Sequence, residues 1–290
     1  MKISNQTCSI ALFAGVALLL GACANTSAPE SSVVPALSKE RIAEIVASPD
    51  RRAADRTNDI RRKPVEMLAF IEVRPGMVAL DLSAGGGYTT ELIARAVGPT
   101  GRVYGQSRPR NPDQPAPGPA APEGAAAPRA AAPAGAPRPP APPNSALALA
   151  ERARNPAASN IVAVVQRFED PVPAAVASNG LDLVTLMFNY HDLGWIGVDR
   201  AQMNRAVFAA LKPGGIYVIA DHSGRPGTGI SESGTLHRVE EAFLRKEVEA
   251  AGFRLVAEGN FLRNPGDPRD KNTPDPVQPK DEFVLKFVKP

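Results

Sequence analysis

A short apolar strand pattern, Val78-Ala79-Leu80-Asp81-Leu82, runs through Ser83-Ala84 into three consecutive glycines, Gly85-Gly86-Gly87, and then into a helical pattern over 88–97. A strand that passes through a turn of small residues straight into a helix is the opening half of a strand–helix–strand crossover, the unit that builds parallel sheets. Glycine reaches left-handed backbone angles freely and puts no Cβ in the way of a ligand. The first turn of the helix adds unsatisfied N–H groups. In open α/β sheets such a turn lies at the carboxyl end of its strand, the edge where ligands bind.

The rest of the chain repeats this alternation. Strand patterns recur over 102–105, 161–165, 181–188 and 216–220, with helical patterns over 146–153, 173–177 and 200–211 between them. A helix over 236–251 follows and ends at Gly252, a suitable C′ residue. Two last strands, over 254–257 and 282–288, flank a Pro- and Asp-rich loop over 264–280. Upstream, Ser38 reads as an N-cap ahead of a stripe of Ile42, Ile45 and Val46. Ser48-Pro49-Asp50 opens a second helical piece. A third runs over 63–70 with Pro64 in its first turn, and Val73-Arg74-Pro75-Gly76 is a turn. The pattern predicts an α/β domain with a seven-stranded, Rossmann-like, mostly parallel sheet and helices on both faces.

Composition matters at two places. Proline is abundant, 30 residues, against a typical share of about 5%. From Pro109 to Pro143, 25 of 35 residues are Pro or Ala (13 and 12). No apolar side chain there is larger than Pro or Ala, so the stretch cannot offset its ordering entropy. It reads as a disordered insertion at about 108–144 inside the domain. At the N-terminus, Lys2 precedes an apolar run over 10–20 and then Leu20-Gly21-Ala22-Cys23. The run is too short to span a membrane and has the layout of a secretory signal. The segment resembles a bacterial lipobox. It implies a signal peptide over 1–22, a lipid anchor on Cys23, a tether over 23–37 and a domain over 38–290. Ala24 implies the outer membrane, with the protein exported and facing the periplasm. Cys8 and Cys23 are the two cysteines, so processing would leave the domain no thiol for a disulfide or a metal. Lys+Arg 33 against Asp+Glu 30 gives a net charge of +3, too small a surplus to predict nucleic-acid binding. No protein partner is legible.

The glycine turn admits two classes of ligand. A dinucleotide fingerprint would put Gly or Ala where Thr90 stands. The alternative is the first motif of class I S-adenosylmethionine-dependent methyltransferases, which Asp81-Leu82-Ser83-Ala84-Gly85-Gly86-Gly87 resembles, with Ser83 in place of the first glycine. Arg74-Pro75-Gly76-Met77, Leu181-Asp182-Leu183-Val184 and Leu211-Lys212-Pro213-Gly214-Gly215-Ile216 are similar to that family's lead-in, fourth strand and turn into the fifth strand. Within the family the chain is most similar to a group of bacterial predicted methyltransferases, through Ala84-Gly85-Gly86-Gly87-Tyr88-Thr89-Thr90, Tyr190-His191-Asp192-Leu193 and His237-Arg238. The resemblance implies a last strand inserted antiparallel, S-adenosylmethionine as cofactor and a small-molecule methyl acceptor. It places Asp81, Ser83, Ala84, Gly85, Gly87, Tyr88, Gln106, Ser107, Phe168 and Asn189 around the cofactor. Gln106 or Ser107 stands where the family has an acidic residue for the ribose, and Phe168 is an adenine-stacking or core residue.

The three histidines, His191, His222 and His237, all fall on the carboxyl side of the expected sheet. With Asp192 and Arg238 they are the expected catalytic residues, imidazole acting as general base near neutral pH. The same His/Asp set offers donors for a divalent metal, and hence metal-dependent hydrolysis, although no tight His-x-x-x-His spacing supports it. A third reading is a non-catalytic envelope binding protein on the same fold. Asp55, Asn58, Asp59 and Arg62 recur at helical spacing as a solvated face or a cap over the site. Tyr190 and Trp195 are pocket-shaping or packing residues.

Overall fold

The computed structural model describes residues 1–2, 34–109, 145–274 and 276–290. The signal peptide, the lipidated cysteine, most of the tether and the Pro/Ala-rich insertion lie outside the described residues. The chain divides into two units, 1–33 and 34–290, and every element below belongs to the second. Among the described residues no helix is long and apolar enough to cross a membrane.

Three helices come first: α1 (Lys39–Ala47), α2 (Ala53–Arg62) and α3 (Pro64–Ile71). The Ser38 side chain accepts from the Arg41 N–H and caps α1, and Pro64 opens α3. Then follow β1 (Val78–Leu82), α4 (Tyr88–Val97), β2 (Arg102–Ser107), α5 (Ser145–Arg152), β3 (Ile161–Val165), β4 (Leu181–Met187), α6 (Tyr190–Trp195), α7 (Arg200–Ala210) and β5 (Leu211–His222). The chain closes with α8 (Ser233–Leu236), α9 (Glu241–Ala250), β6 (Arg254–Gly259) and β7 (Glu282–Val288). The strands form one seven-stranded sheet in the order β3-β2-β1-β4-β5-β7-β6. Strands β1 to β5 pair in parallel, and β7 lies antiparallel between β5 and β6. This is the expected topology, including the antiparallel last strand.

Alternation along each strand supplies both faces of the sheet. Ala79, Leu183 and Val218 face one apolar layer with Ile42, Leu68, Ile93 and Leu149. Their chain neighbours Leu80, Val184 and Ile219 face the other with Met203, Val207, Leu244 and Phe283. The chain leaves β1 toward β2 on one side and meets β4 on the other, so the carboxyl ends of β1 and β4 mark the switch point of the sheet.

Two expectations change. The helix expected over 173–177 is a single 3₁₀ turn, Ala174–Val176. The helix expected over 236–251 begins only at Glu241. His237 is left-handed at φ 51°, and Val239 bonds back to the end of β5 through Val239 N–H to the His222 carbonyl at 3.1 Å. The apolar spacing of Leu236, Val239, Phe243 and Leu244 suits a helix, but these tertiary bonds override it.

Candidate functional site at the carboxyl edge of the sheet

Ser83, Gly85 and Gly87 all have positive φ, 55°, 53° and 81°, so the turn after β1 winds tightly before α4. Its frame is hydrogen-bonded to β2: Ala84 N–H donates to the Gln106 carbonyl at 2.8 Å and Ser83 N–H to Gln106 Oε1 at 3.0 Å. A Cβ on Gly86 would meet nothing within 4 Å, and one on Gly85 only the Ser83 carbonyl at 3.8 Å. That side of the turn is open. Gly87 is different, since a Cβ there would lie 2.7 Å from Arg152 Cδ and 2.8 Å from Leu149 Cδ2. Gly85 and Gly86 therefore leave room at the turn for a ligand, while Gly87 lets α5 pack onto it.

Asp81, at the end of β1, is buried and accepts from Thr90 Oγ1 at 2.6 Å and Thr185 Oγ1 at 2.8 Å. Burial pushes its carboxyl up to about 6, against the pull of the two hydroxyls and the Arg62 charge. Gln106 corrects the sequence expectation. It is fully buried, with Oε1 on Ser83 and Nε2 donating to the Gln166 carbonyl at 2.7 Å. It braces the turn and presents nothing to a ribose. Of the two readings of Phe168 the structure favours the core, since it is 5% exposed and part of the second apolar layer. The Ser107 hydroxyl donates to the Val164 carbonyl at 3.4 Å.

The N-terminal helices cover this turn. Arg152 forms a bidentate pair with Asp55 (2.6 and 2.9 Å), a second pair with Glu91, and donates Nε to the Gly86 carbonyl at 2.5 Å. Arg51 grips Asp59 at 2.7 and 2.9 Å, and Tyr88 Oη donates to the same carboxylate at 2.7 Å. Asp55 and Asp59 thus point inward, as the cap reading has it, while Asn58 stays on the solvated face. Their i,i+4 spacing was visible in the sequence. Their partners Arg51 and Arg152 carried no comparable signal. Beside the turn lies a small apolar cleft of about 20 Å³, lined by Arg62, Met67, Tyr88, Leu92, Met187 and Phe188. Phe188 has φ 59°, and the Arg62 guanidinium lies 3.9 Å from its ring centroid.

The imidazoles gather next to this cleft. His191, in the first turn of α6, is held twice by the buried Asp221: its N–H donates to Oδ2 at 2.8 Å and Nδ1 lies 2.6 Å from Oδ1. Its Nε2 lies 3.3 Å from Asp192 Oδ1, which is 3.2 Å from His237 Nδ1. The His191 ring centroid is 5.3 Å from that of His222 and 5.6 Å from that of His237. Burial opposes a charge on His191, but Asp221 and Asp192 outweigh it and push the ring up to about 9. Desolvation opposes ionisation of Asp192 and Asp221 too, yet hydrogen bonds and the His191 charge hold both below the usual carboxylate range. His191 is therefore charged at neutral pH, which corrects its role as general base. His222 is driven well below its ordinary value by burial and by the positive charge of Lys280. Antiparallel pairing of β5 with β7 sets Glu282 beside it, Oε1 3.0 Å from His222 Nδ1, and Arg61 bonds that oxygen at 2.5 Å.

Asn189 joins the two halves. Ser83 Oγ donates to Asn189 Oδ1 at 2.6 Å, and Asn189 Nδ2 donates to Asp192 Oδ2 at 2.8 Å. Arg238 does not belong to the site, which corrects the expectation that it is catalytic. Its side chain is fully buried on Asp267 (2.8 and 3.1 Å) and on the Ser223 and Lys271 carbonyls. Tyr190 packs in the core with its hydroxyl on Glu247, whereas Trp195 is exposed and donates to Asp192 Oδ1 at 3.1 Å.

No protein-family profile matches the chain, and no curated protein does. Solved structures do. A SAM-dependent methyltransferase from Aquifex aeolicus is 15% identical with a TM-score of 0.52, over 88% of this chain and 100% of that one. A putative sarcosine dimethylglycine methyltransferase from Galdieria sulphuraria is 13% identical with a TM-score of 0.50, over 88% and 92%. The [4+2]-cyclase SpnF is 14% identical with a TM-score of 0.50, over 79% and 82%. The fold is the Rossmann-like methyltransferase fold. One of these neighbours is a cyclase, so the fold alone does not choose the chemistry, and the site must.

Proposed function

We propose that the chain transfers the methyl group of S-adenosylmethionine to a small-molecule acceptor. The observation that carries this reading is the open face of Gly85 and Gly86 at the switch point of the sheet, tied through Ser83, Asn189 and Asp192 to the histidine cluster. The residues fit the cofactor at the turn, where Ser83, Ala84, Gly85 and the start of α4 at Tyr88 would hold it. When bound, the cofactor supplies an electrophilic methyl group on a sulfonium. The chain's part is alignment and exclusion of water. The small apolar cleft beside Tyr88 and Phe188 would form one wall of the acceptor site. Asp192 and His237, the more exposed members of the cluster, are placed to hydrogen-bond it, and His191 keeps Asp192 in position as a fixed positive charge.

The second reading, a binding protein without catalysis, draws support from Gln106, since a buried amide replaces the acidic ribose partner. Methyl-labelled donor incubated with the full chain and a small-molecule envelope extract separates the two. Formation of S-adenosylhomocysteine with label in a small product supports transfer, and donor binding without turnover supports the binding protein. The N-terminal motif further supports export and a lipid on Cys23, with the domain facing the periplasm. Fatty-acid labelling that disappears in Cys23→Ala is its test.

A further inference from the structure

We propose that His191, Asp192 and His237 form a binding site for a divalent first-row transition-metal ion. Each offers one donor atom, and these atoms all lie within 4.8 Å of one another. Asp192 Oδ1 is the centre of the group. His191 Nε2 stands 3.3 Å from it, His237 Nδ1 3.2 Å and Trp195 Nε1 3.1 Å. All three distances exceed the 2.7–2.9 Å or so of a charge-assisted hydrogen bond. Trp195 Nε1–H donates to this oxygen, and the two imidazole nitrogens stand close enough to it to share one ion with it.

The surroundings have the form of a metal site's supporting layer. A metal-bound imidazole usually turns its other nitrogen to a carboxylate, which fixes the ring. Here His191 Nδ1 is 2.6 Å from Oδ1 of Asp221, a wholly buried carboxylate, so Nε2 is the atom aimed at Asp192, and a bound ion would take the place of the proton that Nε2 carries in the ion-free state. The second oxygen of Asp192 is held by Asn189 Nδ2 at 2.8 Å, so Oδ1 is the oxygen turned to the two imidazoles. The third donor comes from a distant part of the chain, on a backbone held left-handed at His237 by the return of Val239 to β5. Side-chain exposure is 5% at His191, 28% at Asp192 and 38% at His237, so the group is anchored at one end and open to solvent at the other. Three protein ligands with an open side leave positions for water or a substrate oxygen. Two imidazoles and a carboxylate favour Zn²⁺, Co²⁺, Fe²⁺ or Mn²⁺ over Ca²⁺ or Cu⁺.

The inference stands apart from methyl transfer, because ion binding is read with neither donor nor acceptor present. The full chain, stripped with a chelator, is titrated with Co²⁺ and followed by visible absorption, then back-titrated with Zn²⁺. One equivalent of Co²⁺ should bind with a ligand-field band that Zn²⁺ abolishes, and Zn²⁺ should raise the melting temperature. His237→Ala, at an exposed position, should keep its fold by circular dichroism and bind at least tenfold more weakly. Asp221→Asn should weaken binding by about 10- to 100-fold through His191. Absence of the band at millimolar Co²⁺, or equal binding by folded His237→Ala, overturns the site.

Discussion

The Ser83 hydroxyl donates to the Asn189 side-chain carbonyl at 2.6 Å, joining the glycine turn after β1 to the loop that leads from β4 into α6. The two residues are 106 positions apart in the chain, and their bond spans the switch point of the sheet. Asn189 also grips Asp192, so one chain of hydrogen bonds links the turn to the histidine cluster. A double-mutant cycle on Ser83→Ala and Asn189→Ala, read by urea denaturation, should give a coupling of about 1 kcal/mol. Additive effects would mean that the bond contributes nothing.

Adjacent glycines should respond in opposite ways. Gly86→Ala adds a methyl group to open space and should change stability by no more than about 0.5 kcal/mol. Gly87→Ala meets Arg152 and Leu149 at 2.7–2.8 Å on a left-handed backbone and should cost about 1–3 kcal/mol. Thermal or urea unfolding of the pair checks this, and equal losses would contradict the assignment of one glycine to a ligand and the other to packing.

Asp81 gives a pH signature. Its carboxyl is pushed up to about 6 in the fold, chiefly by burial, from about 3.9 in an unfolded chain. The folded state holds the proton more tightly, so this group's contribution is full below about pH 4 and is lost as pH rises through about 6. Asp81→Asn should match the parent near pH 4 and gain on it by up to about 3 kcal/mol at pH 7. Urea midpoints at the two pH values measure this. A difference that does not change with pH would show that Asp81 is ionised at no cost.

Much of this was legible in the sequence, where a local pattern carried the signal. The strand–glycine–helix unit at 78–97, the strand alternation and the position of the three histidines rest on spacing of two or about four residues and on turn chemistry. What escaped depends on contacts between distant segments. The spacing of Leu236 and Val239 suggested a helix that the return of Val239 to β5 prevents. Arg238 sits beside His237 in sequence, but its guanidinium turns to Asp267, a partner that no local pattern marks. Gln106 was correctly placed at the end of β2, yet only the folded turn shows that Ser83 N–H and the Gln166 carbonyl consume its amide. Arg152 over Gly86 is the clearest omission, a charged residue at a helix end paired with carboxylates 61 and 97 positions away.

Calorimetric titration of S-adenosylmethionine into the full chain, in parallel with Gly86→Leu, addresses the glycine turn directly. The parent should bind one equivalent with a Kd below about 1 mM, and the folded variant, with its side chain filling the open face at Gly86, should not bind. No heat at millimolar donor, or undiminished binding by Gly86→Leu, would contradict the assignment of this turn to a sulfonium nucleoside.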